Sequence, residues 1–484
     1  MSFSSRRRNY MLTPHRRDGL LEWMKKMLQH SFVLDALEST GADTFSHFEQ
    51  LIDEHREYTM NNESSQDGTN TQKVSRLIQL VPTTGVFFTR LPLRRAFLAY
   101  DRKYRVSKRR YVCMSFNEVR QIMNLAQVMA FGPPASPERD ISENCKEAEP
   151  KYRKVFESDF NFPGPKLITF DGDQTLYQDG KNFDSNPKLA DYLYRLLKNG
   201  VTIAVVTAAG YEYQSEKYEL RLSGLLNFLK EKGLSKEECS RFFIFGGECN
   251  YLLQLGDDFK LHGVPEHGEG GWMTASKGFI DSPANWTEKD IEELLEASLA
   301  SVEKSIEDQN LNGLLIRKKR SVGLVPRDKD SLMTREALDE VVLRVQYELN
   351  QSNTSLPYCA FNGGKDAWVD VGNKRVGVTV LQHFLGIKKN ECLHVGDQFL
   401  NTGNDYAARS CCPCIWITSP EETTYILKMI LRLAGGRMEI SQCRSVELEG
   451  VQEPDKVKVN LNDATRRSSM IATMNIYTGE MIGS

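Results

Sequence analysis

The segment Lys166–Gly180, KLITFDGDQTLYQDG, carries a short apolar run, Leu167 to Phe170, that ends abruptly in Asp171 and Asp173, with Thr175 two residues further on. Side chains alternate along extended backbone, so both aspartates can point the same way just beyond the carboxyl end of a strand, where open α/β sheets bind ligands. Two carboxylates held side by side repel unless a cation neutralises them, and oxygen ligands suit magnesium. A D-G-D turn at a strand end has the same local pattern, so the decision rests on whether the rest of the chain supplies partners.

Downstream, Asn186 and Pro187 form a helix cap and first helical residue, and Leu189, Leu193, Leu196 and Leu197 trace an apolar stripe that stops at Gly200. Val201–Thr207, VTIAVVT, is a nearly continuous apolar run of the kind buried parallel strands show. Strand, helix, strand is a right-handed crossover, which sets Thr207 at the end of a strand beside the one bearing Asp171. There a hydroxyl and the N–H groups of Ala208 and Ala209 would hold phosphate oxygens. Asp366–Val380, DAWVDVGNKRVGVTV, offers Lys374 at the head of a helical pattern, a cation to offset the carboxylates and the developing phosphoryl charge. Glu391–Asp405, ECLHVGDQFLNTGND, reads as a short strand running into Asp397 and, after a loop, Asn404 and Asp405.

D-x-D-x-T followed in order by these three stretches resembles the four motifs of the haloacid-dehalogenase-like phosphohydrolases. The resemblance implies that Asp171 attacks phosphorus to form an aspartyl-phosphate and that Asp173 is the acid/base. It also implies Mg2+ on Asp171, Asp397 and the backbone carbonyl of Asp173, with Asn404 and Asp405 supporting that shell. The expected fold is an α/β, Rossmann-like core of this superfamily with an inserted α/β cap of type II and a mainly helical N-terminal region.

Outward from the motifs, residues from Tyr211 to Gly364 alternate helical pieces (Leu220–Glu231, Glu288–Glu307, Thr334–Leu349) with strands at Arg241–Phe245, Tyr251–Leu255 and Leu314–Val325. That insert is large enough for a domain of its own. Expected boundaries are therefore 1–160 for a helical regulatory and oligomerisation region, 161–215 and 366–445 for the core, 216–365 for the cap and 446–484 for a tail. Arg317–Arg320, RKKR, is either a solvated cap surface or a basic strand facing an anionic substrate.

In the N-terminal region Gly19–Gln29 and Phe45–Tyr58 have helical spacing, and Asn61–Thr71 reads as a polar link. Ser115 with Glu118 fits a capping box, and Phe116, Val119, Ile122, Met123, Ala126 and Met129 trace one packing face. Asp101–Arg110, DRKYRVSKRR, is a cationic run that reads as a solvated surface, with phosphate binding as the sharper alternative. Pro133–Pro150 is a connector rich in proline and acid, followed by Lys151–Lys154.

Composition narrows the class. Across 484 residues, 40% hydrophobic and 26% charged content describes an ordinary globular protein, and a net charge of −3 argues against a nucleic-acid partner. Ten cysteines in so long a chain are no disulfide framework, and the run Cys411, Cys412, Cys414 lacks a second pair at zinc spacing. No apolar run approaches the ~18–20 residues of a membrane span, and Arg6–Arg8 precede no apolar segment, so a cytoplasmic protein with no membrane partner is expected.

The resemblance is narrower than the superfamily. FDGDQTLYQDG, AVVTAAGY, KRSVGLVPR, NGGKDAWVDVGNK and HVGDQFLNTGND, with SFNEVRQIMNLAQ in the helical region, are similar to the IMP-specific 5′-nucleotidases of fungi and some protozoa over roughly residues 10–440. Gln174, where the wider superfamily has glycine, matches this family. The resemblance implies hydrolysis of inosine 5′-monophosphate (IMP) to inosine and phosphate in purine salvage. Asp179 and Asp366 would contact the nucleoside, Thr207 the phosphate, and Lys374 both the phosphate and Asp171. It implies further activation by ATP at a separate N-terminal site, for which Lys151, Arg153, Lys154 and the 101–110 run are candidates, and assembly into homotetramers. The preference for hypoxanthine rests wholly on this resemblance. A phosphomannomutase-like phosphotransferase, whose third and fourth motifs are similar, and a catalytically silent nucleotide sensor are the alternatives.

Overall fold

The computed structural model describes residues 18–33, 37–64, 74–81, 84–132, 164–184, 186–328, 331–352 and 354–433, together with two short strands at 473–474 and 481–482. The chain forms two compact units, Gly19–Arg437 and a second one of Met1–Asp18 with Met438–Ser484. Within the second unit, Thr473–Met474 pairs antiparallel with Met481–Ile482. No helix among the described residues is long and apolar enough to cross a membrane.

Among the described residues five α-helices precede the first strand: α1 (Gly19–Val33), α2 (Leu37–Ser64), α3 (Arg76–Leu80), α4 (Leu93–Tyr104) and α5 (Phe116–Ala130). The capping box at the start of α5 is reciprocal. Ser115 Oγ accepts the Glu118 N–H at 3.2 Å, and the Glu118 carboxylate accepts the Ser115 N–H at 2.8 Å. Val119, Ile122 and Ala126 then pack on Phe45, Phe48, Leu51 and Phe97 in a core belonging to this region. Helix α2 runs through Ser64 and so takes in the first part of the expected link at Asn61–Thr71. The connector Pro133–Pro150 and the basic Lys151–Lys154 lie outside the described residues.

The main sheet contains β1 (Leu167–Phe170), β2 (Thr202–Val206), β3 (Phe242–Gly246), β4 (Tyr251–Leu255) and β5 (Leu261–Gly263). Helix α6 (Pro187–Lys198) makes the crossover from β1 to β2, capped by Asn186, whose side chain accepts the Leu189 N–H at 3.1 Å. Helices α7 (Ser215–Arg221), α8 (Ser223–Lys232) and the one-turn α9 (Lys236–Cys239) lead to β3, and the short α10 (Trp272–Ser276) follows β5.

A second sheet is built from β6 (Gly313–Arg317), β7 (Ser321–Pro326), β8 (Tyr358–Asn362) and β9 (Ala367–Val371), with helices α11 (Glu288–Gln309) and α12 (Arg335–Gln351) on one face. Helix α13 (Lys374–Leu385), β10 (Cys392–Gly396), β11 (Cys414–Trp416) and α14 (Pro420–Leu433) complete the unit. The main sheet has the order β11-β10-β1-β2-β3-β4-β5, parallel from β11 to β3 and antiparallel at β4 and β5. The second sheet is antiparallel, β6-β7-β9-β8.

Both boundaries expected for the insert move. Strands β3 to β5, expected in the cap because they follow residue 215, extend the main sheet. All five residues of FFIFG are buried, as a parallel strand covered on both faces requires. Conversely β9, expected to open the returning core, belongs to the second sheet. Ala367, Val369 and Val371 are buried toward helices α11 and α12, and Asp366, Trp368 and Asp370 alternate onto the opposite face. The region Leu314–Val325 is a hairpin of two strands. Cys411 and Cys412 are buried free thiols, and none of the described cysteines is bridged.

Candidate active site

Three of the four predicted motifs meet at one buried cation. Lys374 heads α13, positioned by the Asn373 cap, whose Oδ1 accepts the Val376 N–H at 3.1 Å. Its ammonium is wholly buried and lies 2.6 Å from Asp171 Oδ1 and 2.6 Å from Asp405 Oδ1. Burial works against charge on Lys374, but the two carboxylates outweigh it and hold its pKa above the ordinary value. Asp405 also accepts from His394 Nε2 at 2.9 Å and from the Gln398 N–H at 2.8 Å. Burial opposes its ionisation, yet Lys374 and His394 keep its carboxyl below the usual range. Asp171 has fewer donors, and burial pushes its carboxyl up to about 7 against the pull of Lys374.

Asp405 sets the tautomer of His394. Its carboxylate can only accept, so Nε2 carries the proton, and the Thr169 hydroxyl 2.8 Å from Nδ1 donates to the other nitrogen. Burial lowers the pKa of the imidazole, in keeping with a neutral ring. Gly396 lets the aspartate approach, since a Cβ there would stand 2.3 Å from the Asp405 carboxyl. Gln174 has φ +61°, the left-handed region that favours glycine.

Oxygens of Asp171, Asp397 and Asp405 lie within 4.8 Å of one another, a grouping fit for a hard divalent cation. Asp405 already accepts three hydrogen bonds, so it is the anchor of Lys374, which leaves Asp171 and Asp397 as the carboxylates of the group to face a cation. The side chain of Asp173 stands apart from that group. It accepts from Arg221 at 2.8 and 3.0 Å and from the Gly180 N–H at 3.0 Å. Burial raises its pKa, with Arg221 pulling the other way. Arg221 in turn stacks on the Tyr177 ring at 4.9 Å.

Thr207 is buried at the end of β2, and its Oγ accepts the Ala209 N–H at 3.1 Å. That N–H, expected to serve phosphate, is thus turned onto the threonine; Ala208 beside it is partly exposed. Asp179 is exposed at the end of the opening motif, and Asp366 immediately precedes β9 of the second sheet. The two are close enough that Asp179 adds to the rise that burial causes in the pKa of Asp366. The structure therefore sets the loop after β1 within electrostatic reach of the residue that precedes β9. Lys151, Arg153 and Lys154 lie outside the described residues.

Glu248 escaped the sequence reading. Three successive left-handed residues, Gly247, Glu248 and Cys249 (φ +61°, +49° and +77°), turn the chain sharply after β3. The turn buries the Glu248 side chain completely beside Lys374, where Asn404 Nδ2 donates to it at 3.2 Å. A G-G pair directly after an apolar strand was the available signal. Burial pushes this carboxyl up to about 8 from an ordinary value of 4.5. Between those values the native side chain keeps a proton that the unfolded one has lost, so stability falls as pH rises. Glu248→Gln is expected to flatten that fall in the EDTA-treated protein, read as thermal midpoints from pH 5 to about pH 8. Parallel slopes for the two proteins would refute it.

The site's order of motifs has a counterpart among known proteins: a family model for IMP-specific 5′-nucleotidase matches residues 2–427. The chain belongs to the IMP-specific 5′-nucleotidase family. Like other members it is a phosphoric monoester hydrolase. The IMP-specific 5′-nucleotidase 1 of Yarrowia lipolytica is 36% identical over 437 residues, covering 87% of this chain and 96% of the relative. Among solved structures, the N-terminally truncated, IMP-bound IMP-nucleotidase of Plasmodium falciparum superposes with a TM-score of 0.72 at 34% identity, covering 87% of this chain and 98% of that one. The ATP-bound form of the Plasmodium protein gives 0.69 at 34% identity, covering 89% and 88%.

Proposed function

We propose that this chain hydrolyses IMP to inosine and phosphate through an aspartyl-phosphate on Asp171. The observation that carries the reading is the buried Lys374 ammonium, 2.6 Å from both Asp171 and Asp405 at the carboxyl ends of parallel strands. Asp171 attacks phosphorus, the P–O5′ bond breaks, and Asp173 gives its proton to O5′ to release inosine. The Asp173 carboxylate then takes a proton from water, whose oxygen displaces Asp171 from phosphorus and frees phosphate. Each half-reaction restores the protonation state that the other needs. Lys374 neutralises Asp171 before attack and the phosphoryl oxygens during it.

The donor set fits magnesium, being all oxygen, with Asp171, Asp397 and the Asp173 carbonyl as the residues to hold it. When bound, the ion would polarise the phosphoryl oxygens and offset the site's carboxylates. Asn404 Oδ1, buried with no hydrogen-bond partner among the described residues, would offer an acceptor beside such an ion.

In this reading the main sheet is the superfamily's Rossmann-like core and the second sheet with α11 and α12 is its cap. The cap carries Asp366 to the nucleoside opposite Asp179, and Thr207 and Ala208 take the phosphate. By analogy with the ATP-bound relative, ATP activates at the helical region, and the protein acts as a cytoplasmic homotetramer in purine salvage. A panel of nucleoside monophosphates and hexose phosphates, assayed for released phosphate with Mg2+, with and without ATP, tests the reading. Selective release from IMP is expected. Preferential release from hexose phosphates would overturn the reading; a mutase-like transferase, which returns the phosphoryl group to a hydroxyl, and a silent sensor would both release none, and interconversion of hexose phosphates separates those two.

A further inference from the structure

Helix α5 of the N-terminal region sends two buried side chains, one turn apart, into the phosphohydrolase half of the molecule. Arg120 is 2% exposed and Asn124 5%. A guanidinium so placed is costly unless fully paired. Arg120 donates to Asn117 Oδ1 at 2.6 and 2.9 Å, to the Glu422 carboxylate at 3.0 Å and to the carbonyl of Trp416. Asn124 clamps the same tryptophan as a neighbouring strand would. Its Nδ2 donates to the Trp416 carbonyl at 2.6 Å, and its Oδ1 accepts the Trp416 N–H at 3.1 Å.

From there two threads reach the catalytic loops. The Trp416 indole N–H donates to the backbone carbonyl of Asp397 at 2.8 Å. Its ring is flanked by Phe116 of α5 and by Phe399, centroids at 5.7 and 6.3 Å. On the second thread Glu422, held by Arg120, accepts from the N–H and hydroxyl of Thr418 at 2.9 and 3.0 Å, which fixes the start of α14. The next residue, Thr423, is buried and donates from Oγ to the Thr175 carbonyl at 2.8 Å. One helical turn outside the sheet is therefore bonded, through one intermediate on one side and two on the other, to the Asp397 loop and to the Asp171–Thr175 loop.

We infer that Arg120 and Asn124 are positioning residues for the hydrolysis, holding these two loops at the separation a divalent cation needs. The inference rests on the reading that Asp171 and Asp397 hold that cation. Trp416, one hydrogen bond from Asp397, is a support of the kind that commonly tunes metal affinity by 10–100-fold, and Arg120 and Asn124 act through it. This arrangement also gives the helical region a physical grip on the site, since a shift of α5 acts on both loops at once.

Mn2+ binding to the full chain, followed by the loss of free-ion electron paramagnetic resonance signal, tests it alongside kcat and KM for IMP at saturating Mg2+. Asn124→Ala, Trp416→Phe and Thr423→Val are each expected to raise the Mn2+ Kd roughly 10-fold or more. Each should lower kcat with little change in KM. The double variant N124A/W416F should bind Mn2+ no more weakly than W416F, because the two side chains act on one thread; additive losses would overturn that thread. If a variant fails to fold by near-ultraviolet circular dichroism, the other two carry the test. D397N is the reference. Wild-type Mn2+ affinity in D397N would refute the cation reading, whereas a weakened D397N beside folded N124A, W416F and T423V at wild-type affinity and kcat would refute the positioning role alone.

Discussion

Lys374→Met lowers kcat for IMP about 1,000-fold and destabilises the fold by about 3–5 kcal/mol. Methionine nearly matches the shape, so the loss reports charge. With the ammonium gone, Asp171 and Asp405 face each other buried, without the cation that lies 2.6 Å from each. Breaking a buried ion pair by removing one partner strands the other, and here a single change strands two. The variant escapes by taking up a proton, so its instability shrinks as pH falls and one carboxylate is neutralised. Urea unfolding at two pH values, with phosphate release from IMP, checks both parts. A variant as stable as wild type at pH 8 would mean that the pairing contributes nothing net. Retained turnover would remove Lys374 from the mechanism.

Asp171→Asn abolishes turnover, by about four orders of magnitude or more, as removal of a covalent nucleophile does elsewhere. The fold should barely register the change, because the amide is almost isosteric with the carboxylate it replaces and Lys374 keeps Asp405 as its partner. The decisive measurement is an acid quench with IMP labelled in its phosphate. Wild-type protein retains label that alkali releases, as an acyl phosphate does, and Asp171→Asn retains none. Label retained by the variant, or turnover within 10-fold of wild type, would reject the covalent route.

The candidate site residues were legible because each sits where a local pattern changes. Asp171 and Asp173 follow an apolar run, Thr207 ends another, Lys374 starts a helix behind an asparagine cap, and Asp397 follows a short strand. Such boundaries are written in a few adjacent residues, and their order along the chain implies their meeting at one sheet edge. Arg221 and Trp416 had no comparable signature, and Glu248 had only the G-G pair before it. Arg221 is an ordinary residue at the end of an amphipathic stretch until the fold sets it 2.8 Å from Asp173, 48 positions earlier. Trp416 meets Asn124 across 292 positions. In sequence His394 is only a polar residue inside a short apolar strand, and its role required Asp405 and Thr169 on either side of the ring.

The same division applies to the fold. Apolar periodicity within KLITFDGDQTLYQDG and VTIAVVT determined parallel strands joined by a capped helix, because burial of a face or of both faces imposes its period on neighbouring residues. Sheet membership was decided only in three dimensions. FFIFG pairs with β2 and DAWVDV with β7 and β8 through backbone hydrogen bonds, which are identical in every strand and leave no mark on residue identity. The opening aspartates thus came from the sequence alone. What surrounds them, a shared lysine, an arginine on Asp173 and a brace from a distant helix, depended on which loops the tertiary structure brought to the ends of β1 and β10.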